Sequence, residues 1–433
     1  MKNAEVVNGF FPDVAMYLEG DGKNCIGTLV RQSTGAKVVL NGDACELALS
    51  IVRGESVGQL VSNRSTRRRR QALRECNIVH DQLTASGFIG DEPYAGTKIR
   101  TISVKPPLRV IILETTKRCN LRCGHCYVED SGRPTKRELD ETELLDIIGQ
   151  ADAMGVMEVQ LTGGEVLVLP FAHKLVGSLQ ERLVDCSVFT NGMVLPAGMR
   201  KLLKRNSRGL IFYVSLDGLE KQHDWLRRQQ GAFVATNHFI EELLALGCDV
   251  RINTAVGRHN IDTVRSLQDF VTGRFGVMHR FVMLENVGRV AHANDLLISS
   301  QEFAGIWGDT TGTMQFLDSH DALSALDWRS PACGVAESMM FINAYGDASL
   351  CPTMTQMQSE HFAAGNIRSA PLSVLWENSP VYRKFRGIQC NKIRGCPAQK
   401  LCRGGCRSKA FLDAGDVTAP DREMCQLYKR TAR

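Results

Sequence analysis

The apolar positions of this chain change their spacing along its length. Near the start they come in short β-branched runs. Val14-Ala15-Met16-Tyr17-Leu18 predicts a strand, followed by the turn signal Glu19-Gly20-Asp21-Gly22. Ile26 to Arg31 and Ala36 to Leu40 flank Ser33-Thr34-Gly35, which predicts a hairpin. The spacing then becomes helical. Asn41 is expected to cap a helix carrying Ala44, Leu47, Ala48 and Ile51, with Gly54 ending it. Val57 to Val61 predicts a second, short helix. A third is expected from about Thr66 to Ala85, with Leu73, Cys76, Val79 and Leu83 as its stripe.

Beyond residue 105 the two periods alternate. Strands are expected at Arg109 to Glu114, Glu158 to Leu161, Ser187 to Phe189, Leu210 to Val214, Val250 to Ala255 and Arg280 to Leu284. Between them lie four helical stripes. They are Leu144/Ile147/Ile148/Ala151, Leu175/Leu179/Leu183, Phe239/Ile240/Leu243/Leu244 and Val264/Leu267/Val271. Alternating strands and helices imply a parallel sheet with right-handed crossovers. Six units rather than eight predict an α/β architecture, an open (β/α)6 partial TIM barrel. Active sites of such folds sit at the C-terminal strand ends. Asp91 to Gly96 and Lys105-Pro106-Pro107 bracket a linker. The expected domains are therefore residues 1–95, an α+β unit; 96–325, the partial barrel; and 326–433, a Cys-rich region.

Composition narrows the class. Hydrophobic residues are 43% and charged residues 23% of the 433, ordinary for a soluble globular protein. The longest apolar runs are strand-length, so no membrane partner is expected. No signal-peptide apolar region follows Met1-Lys2-Asn3, so the 15 cysteines argue for a reducing cytoplasm over a disulfide scaffold. A net charge of +5 is too mild to imply nucleic acid. Locally, Arg64, Arg67 to Arg70 and Arg74 form a basic run. It reads as a solvated helix face, or as a contact for an acidic peptide or nucleic acid.

Just after the first barrel strand, Cys119, Cys123 and Cys126 stand at spacing C-x3-C-x2-C. One short loop at that spacing can wrap three corners of a cubane cluster and leave its fourth iron open. Zinc is the alternative, with His125 as a fourth ligand. The later strand ends carry Thr162-Gly163-Gly164-Glu165, Thr190-Asn191-Gly192, Ser215-Leu216-Asp217-Gly218 with His223, Asp224 and Arg227, and Gly288-Arg289. This ordered set, with Tyr127 after the third Cys, resembles the radical S-adenosylmethionine (radical SAM) enzymes over residues 108 to 290. The resemblance implies a [4Fe–4S] cluster on Cys119, Cys123 and Cys126, whose open iron chelates S-adenosylmethionine. It implies cofactor contacts from Tyr127, Gly163, Gly164, Glu165, Asn191, Ser215 and Arg227. Glu165 would meet the methionyl ammonium, and Ser215 and Arg227 the carboxylate. One electron would then release a 5′-deoxyadenosyl radical that abstracts hydrogen from substrate. His223 and Asp224 read as structural, and the residues identify no general base beyond this machinery.

Residues beyond 325 hold seven cysteines: Cys333, Cys351, Cys390, Cys396, Cys402, Cys406 and Cys425. In a reducing compartment such density calls for metal. Gly346-x4-Cys351, then Cys396-x5-Cys402-x3-Cys406 and a final Cys425, resemble the SPASM extension of peptide-modifying radical SAM enzymes. That resemblance implies one or two auxiliary iron–sulfur clusters. Cys333, Cys351 and Cys406 would hold the nearer one. Its fourth position would be open to water, a substrate thiolate or a carboxylate such as Asp327. Cys390, Cys396, Cys402 and Cys425 would hold the farther one. The family begins its second group with C-x2-C, whereas Ile393 stands here three residues before Cys396, and Cys390 is the available substitute. Zinc ribbons are the alternative. Cys25, Cys45, Cys76, Cys186 and Cys248 fall in predicted strands and helices and read as buried apolar residues.

Strands followed by three short helices resemble a winged-helix module, and Leu40-Asn41-Gly42 to Ile51 resembles the PqqD-like peptide-recognition element. Together these resemblances imply a maturase that installs a C–C or thioether crosslink in a ribosomally made precursor peptide. The peptide's leader would add as a strand to the edge at Ala36 to Leu40. A one-electron donor such as flavodoxin or ferredoxin would serve it. The competing readings are SPASM-type oxidation of a protein side chain or of a small molecule such as a tetrapyrrole, and a cluster-based DNA-binding regulator.

Overall fold

The computed structural model describes residues 10–11, 13–19, 26–31, 36–53, 55, 66–90, 97–128, 134, 136–306, 333–357, 360–402 and 404–431. They fall into two compact units, Met1–Ser103 and Val104–Arg433.

In the first unit, β1 (Val14–Glu19), β2 (Ile26–Arg31) and β3 (Ala36–Asn41) form an antiparallel meander. Helices α1 (Gly42–Val52) and α2 (Thr66–Ala85) pack on it. Val14, Met16 and Leu29 from the sheet meet Leu47, Ala48 and Ile51 of α1 and Cys76 and Leu83 of α2. Asn41 occupies the N-cap position of α1, but its side chain makes no capping bond, contrary to the expectation for that residue type. A fourth strand, β4 (Lys98–Thr101), pairs in parallel with β1. The expected linker is thus partly absorbed into the sheet, and the unit ends at 103 rather than 95. The sheet order β3-β2-β1-β4 leaves β3 at an edge. The two turn signals, Gly54, the short helix at 57–61, Cys25 and the side chains of the arginine run from 64 to 70 lie outside the described residues.

The second unit is built on six parallel strands: β5 (Val110–Glu114), β6 (Glu158–Thr162), β7 (Asp185–Thr190), β8 (Leu210–Ser215), β9 (Asp249–Val256) and β10 (Met278–Met283). They neighbour one another in chain order, as successive right-handed βα units require. The crossover helices are α3 (Glu141–Ala153), α4 (Ala172–Glu181), α5 (Ala197–Arg205), α6 (Glu220–Arg227), α7 (Ala232–Ala245) and α8 (Val264–Phe275). The predicted stripes are the buried faces of α3, α4, α7 and α8, except that Leu183 lies past α4 and Leu244 is not fully buried. Helix α3 starts with a capping box between Asp140 and Glu143.

The sheet does not stop at six strands. β11 (Met339–Ile342) pairs in parallel with β5, and β12 (Asp347–Ser349) and β13 (Ala363–Asn366) follow antiparallel. One nine-stranded sheet therefore runs across the boundary expected near residue 325. No described helix is long and apolar enough to cross a membrane.

Candidate iron–sulfur and cofactor site

The loop 119–127 leaves the C-terminal end of β5 and is gripped from three sides. From β6, Gly164 N–H donates to Thr116 O at 2.7 Å and Glu165 N–H to Arg118 O at 2.8 Å. A Cβ on Gly163 would stand 2.5 Å from Thr116 O, and one on Gly164 2.3 Å from Arg118 O. The glycine pair is therefore required by the chain's own backbone, in addition to the cofactor contact that the resemblance implies. From the end of α6, Leu226 O accepts the Gly124 N–H at 2.8 Å. Beyond β10, Arg289 N–H donates to Cys126 O, and the Arg289 guanidinium to Cys123 O, each at 2.9 Å. Gly288, at φ +56°, has room for no side chain, because a Cβ would stand 2.2 Å from Tyr127 O.

Two of the three sulfurs, those of Cys119 and Cys123, face nitrogen donors. Leu121 N–H lies 3.4 Å from Cys119 Sγ, and the Asn191 amide 3.8 Å from it. The Arg227 guanidinium lies 3.7 Å from Cys123 Sγ. Burial pushes the Cys119 thiol up to about 11 and also raises Cys123, and neighbouring thiolates add to both. A cluster that binds thiolates offsets that cost, and N–H donors on sulfur tune such clusters. The donor set therefore suits iron–sulfur ligation. Among the described residues no three His, Cys, Asp or Glu side chains converge closely enough to grip a single ion. A cubane carries its irons at separate corners, so its ligands stand apart rather than meet at a point.

Arg227 is fully enclosed. Its guanidinium pairs with Asp217 at 2.5 Å, and Asp217 also accepts the Ala255 N–H at 2.9 Å and faces His125 Nε2 at 3.7 Å. Burial pushes the Asp217 carboxyl up, but Arg227 and the nearby histidines outweigh it and hold it well below the usual range. Burial lowers His125 to about 3, against the pull of Asp217. Asp217 is thus the hub of the site, quoted in the Ser215-Leu216-Asp217-Gly218 motif but given no role by it. His223 and Asp224 are structural: Nδ1 of His223 accepts the Asp217 N–H, and Asp224 accepts Gly231 and Phe233 N–H.

Glu165 is buried, which raises its carboxyl, and it accepts from Leu167 N–H, Thr190 Oγ1 and Asn191 N–H at 2.7–3.0 Å. Asn191 also bonds Asn120 at 2.8 Å. Tyr127 bonds Thr162, and its hydroxyl is pushed up chiefly by burial. Ser215 is half-buried at the end of β8, opposite Asn253. The motif residues thus gather along the C-terminal ends of β5 to β8.

Among the C-terminal thiols, Cys333, Cys351 and Cys406 neighbour one another, as do Cys396, Cys402 and Cys425. Burial raises Cys351 and Cys406, and each also feels the charge of Cys333. Burial raises Cys402 to about 11, with contributions from Asp421, Cys425 and Cys396. Cys390 lies against Gly404, where a Cβ would stand 3.9 Å from its own Cβ. Ile393 sits in the turn between them, donating to Cys390 O and accepting from Cys396 N–H. Asp327 lies outside the described residues. Cys45, Cys76, Cys186 and Cys248 are buried as expected, and none of the described cysteines forms a disulfide. Asp421, missed in the sequence, receives the Cys406 and Met424 N–H groups, and its position just before a helix (Arg422–Thr431) was the available signal.

A thiol loop at the C-terminal mouth of an open (β/α)6 sheet, with N–H donors on the sulfurs of Cys119 and Cys123, defines a cluster-dependent enzyme. Residues 113–271 match the model of the radical SAM superfamily, and 333–407 that of the SPASM iron–sulfur cluster-binding domain. The chain is a radical SAM enzyme with a SPASM extension, and its cofactors are S-adenosylmethionine, a [4Fe–4S] cluster and auxiliary iron–sulfur clusters. It is similar to the AdoMet-dependent heme synthase of Nitratidesulfovibrio vulgaris, 24% identical over 75% of this chain and 94% of that protein. It is similar to the subtilosin biosynthesis protein AlbA of Bacillus subtilis, 26% identical over 69% and 67%. The PqqA peptide cyclase of a Methylobacterium is 26% identical over 73% and 86%. Its fold is that of Streptococcus suis SuiB bound to the precursor peptide SuiA, with a TM-score of 0.66 over 97% of this chain and 100% of SuiB, at 15% identity.

Proposed function

We propose that this enzyme is a maturase that crosslinks a ribosomally made precursor peptide, recruited through its leader. The observation that carries the reading is the first unit, a β-meander with an open edge at β3 and two helices, in a chain that also bears the radical SAM and SPASM regions. An edge strand offers N–H and C=O groups to an incoming strand of almost any sequence, with pockets supplying specificity. Likeness to SuiB over nearly the whole chain, first unit included, supports it, as does the similarity to two peptide-modifying relatives.

In this reading Cys119, Cys123 and Cys126 hold the radical-generating cluster. When bound, that cluster and S-adenosylmethionine supply the 5′-deoxyadenosyl radical that takes a hydrogen atom from the peptide. Glu165 would meet the cofactor's ammonium, Asn191 stands beside Cys119, and Arg227, fixed by Asp217 beside Cys123, would offer its positive charge to the cofactor carboxylate. Tyr127, Gly163, Gly164 and Ser215 complete the wall. Cys333, Cys351 and Cys406 serve one auxiliary cluster, and Cys390, Cys396, Cys402 and Cys425 the other. The protein works in the cytoplasm with a flavodoxin- or ferredoxin-type donor.

The test is mass spectrometry of a candidate peptide, encoded beside the enzyme, after co-expression. A crosslink removes two hydrogen atoms per new bond. An unchanged peptide, with conversion of a porphyrin carboxylate by the same preparation, would instead favour tetrapyrrole side-chain oxidation, the reading that similarity to the heme synthase supports.

A further inference from the structure

The nearer auxiliary thiol group has three cysteines, and a cubane has four irons to ligate. The chain segment following β10 brings a carboxylate to it. Leu284 extends β10 by donating its N–H to Val256 O at 3.0 Å. Glu285 comes next, and the Thr353 hydroxyl donates to its Oε2 at 2.9 Å. Thr353 lies in the first turn of a short helix, Pro352–Gln356, whose N-cap is Cys351, and the Cys351 sulfur accepts the Met354 N–H at 3.4 Å. One hydrogen bond therefore ties Glu285 to the turn that aims the Cys351 sulfur.

The surroundings agree. The charge of Glu285 acts on Cys351, Cys406 and Lys409. Lys409 is partly buried and paired with Glu423 at 2.5 Å, so a cation stands among the acids near this group of thiols. Four residues further on, Arg289 bonds Cys126 and Cys123, so residues 284–289 touch the surroundings of both thiol sets.

We propose that Glu285 is the fourth protein ligand of the auxiliary cluster held by Cys333, Cys351 and Cys406. The proposal rests on the reading that those three cysteines share one cluster. A hard carboxylate oxygen binds iron less tightly than a soft thiolate, so the iron it holds is the most easily lost of the four. Thr353 orients the carboxylate as an outer hydrogen-bond partner does for other metal ligands.

The experiment uses the full chain, reconstituted anaerobically in a Cys119→Ala/Cys123→Ala/Cys126→Ala background, so that iron signals come from the C-terminal region alone. Iron, sulfide and the electron paramagnetic resonance spectrum are measured before and after mild oxidation. Glu285→Gln keeps the shape and the Thr353 bond but removes the anionic ligand. It should lose one iron and give a [3Fe–4S] signal several-fold larger than the parent. Glu285→Cys should suppress that signal below the parent's level. If both variants match the parent in iron content and spectrum, Glu285 is not a ligand. Cys351→Ala checks the underlying reading separately: if it keeps all of its iron, the shared cluster itself is wrong, whatever Glu285 does.

Discussion

The two thiol sets solve one chemical problem in opposite ways. Cys119, Cys123 and Cys126 lie within one loop, and the rest of the barrel mouth grips that loop through backbone bonds from β6, α6 and Arg289. The C-terminal cysteines are spread from 333 to 425, on loops, at helix ends and within the last helix, and only the folded chain gathers them. A contiguous ligand set fixes its own geometry, and the fold need only seat it. A dispersed set depends on the fold for every ligand, and it tolerates replacement of one ligand by another residue nearby.

The sharpest way to break this comparison is to remove the first set. Cys119→Ala/Cys123→Ala/Cys126→Ala should abolish conversion of S-adenosylmethionine to 5′-deoxyadenosine while iron remains in the C-terminal region. Zinc in place of iron in the wild-type protein would overturn the reading of both sets. Next comes the dispersed set's irregular member. Cys390→Ala should lose iron from the farther cluster and Ile393→Ala should not, as read by iron and sulfide analysis. Equal iron in wild type and Cys390→Ala would mean that another residue closes that site.

Smaller effects test the seating. Arg227→Ala leaves Asp217 buried without its partner, which costs about 3–5 kcal/mol. Chemical denaturation should show that loss, and weaker binding of S-adenosylmethionine should accompany it. Gly164→Ala drives a Cβ into Arg118 O and should cost about 1–3 kcal/mol. Gly273→Ala, in α8 with nothing within 4 Å of its Cβ, should be neutral or stabilising by about 0.5–1 kcal/mol. Similar melting of the two glycine variants would show that the loop is not seated by backbone contact.

The same contrast explains what was legible in the sequence. The six parallel strands were, because strands covered on both faces read as apolar runs separated by helical stripes. Helices α5 and α6 were not, because AGMRKLLKR and EKQHDWLR are short and bury only two or three apolar or aromatic side chains each. The thiol loop was legible from spacing alone. The use of Gly163 and Gly164 against Thr116 and Arg118 was not, since the residues they spare are more than 40 positions away. Asp217 and Glu285 escaped because an acid's role depends on what surrounds it. Asn41 was placed at the helix start correctly, yet its side chain forms no cap bond.

The pairing of β11 with β5 bears on how such a chain can be taken apart and recombined. The strand that delivers the Cys119 loop is hydrogen-bonded on one side to β6 and on the other to the first strand of the C-terminal extension. Cutting near residue 325 would strip β5 of that neighbour and bare a row of backbone groups at the heart of the enzyme. A cut near 103 severs no strand pairing of the nine-stranded sheet. Exchange of the first unit would leave that sheet intact, whereas the C-terminal extension must be inherited together with the barrel strand it pairs with.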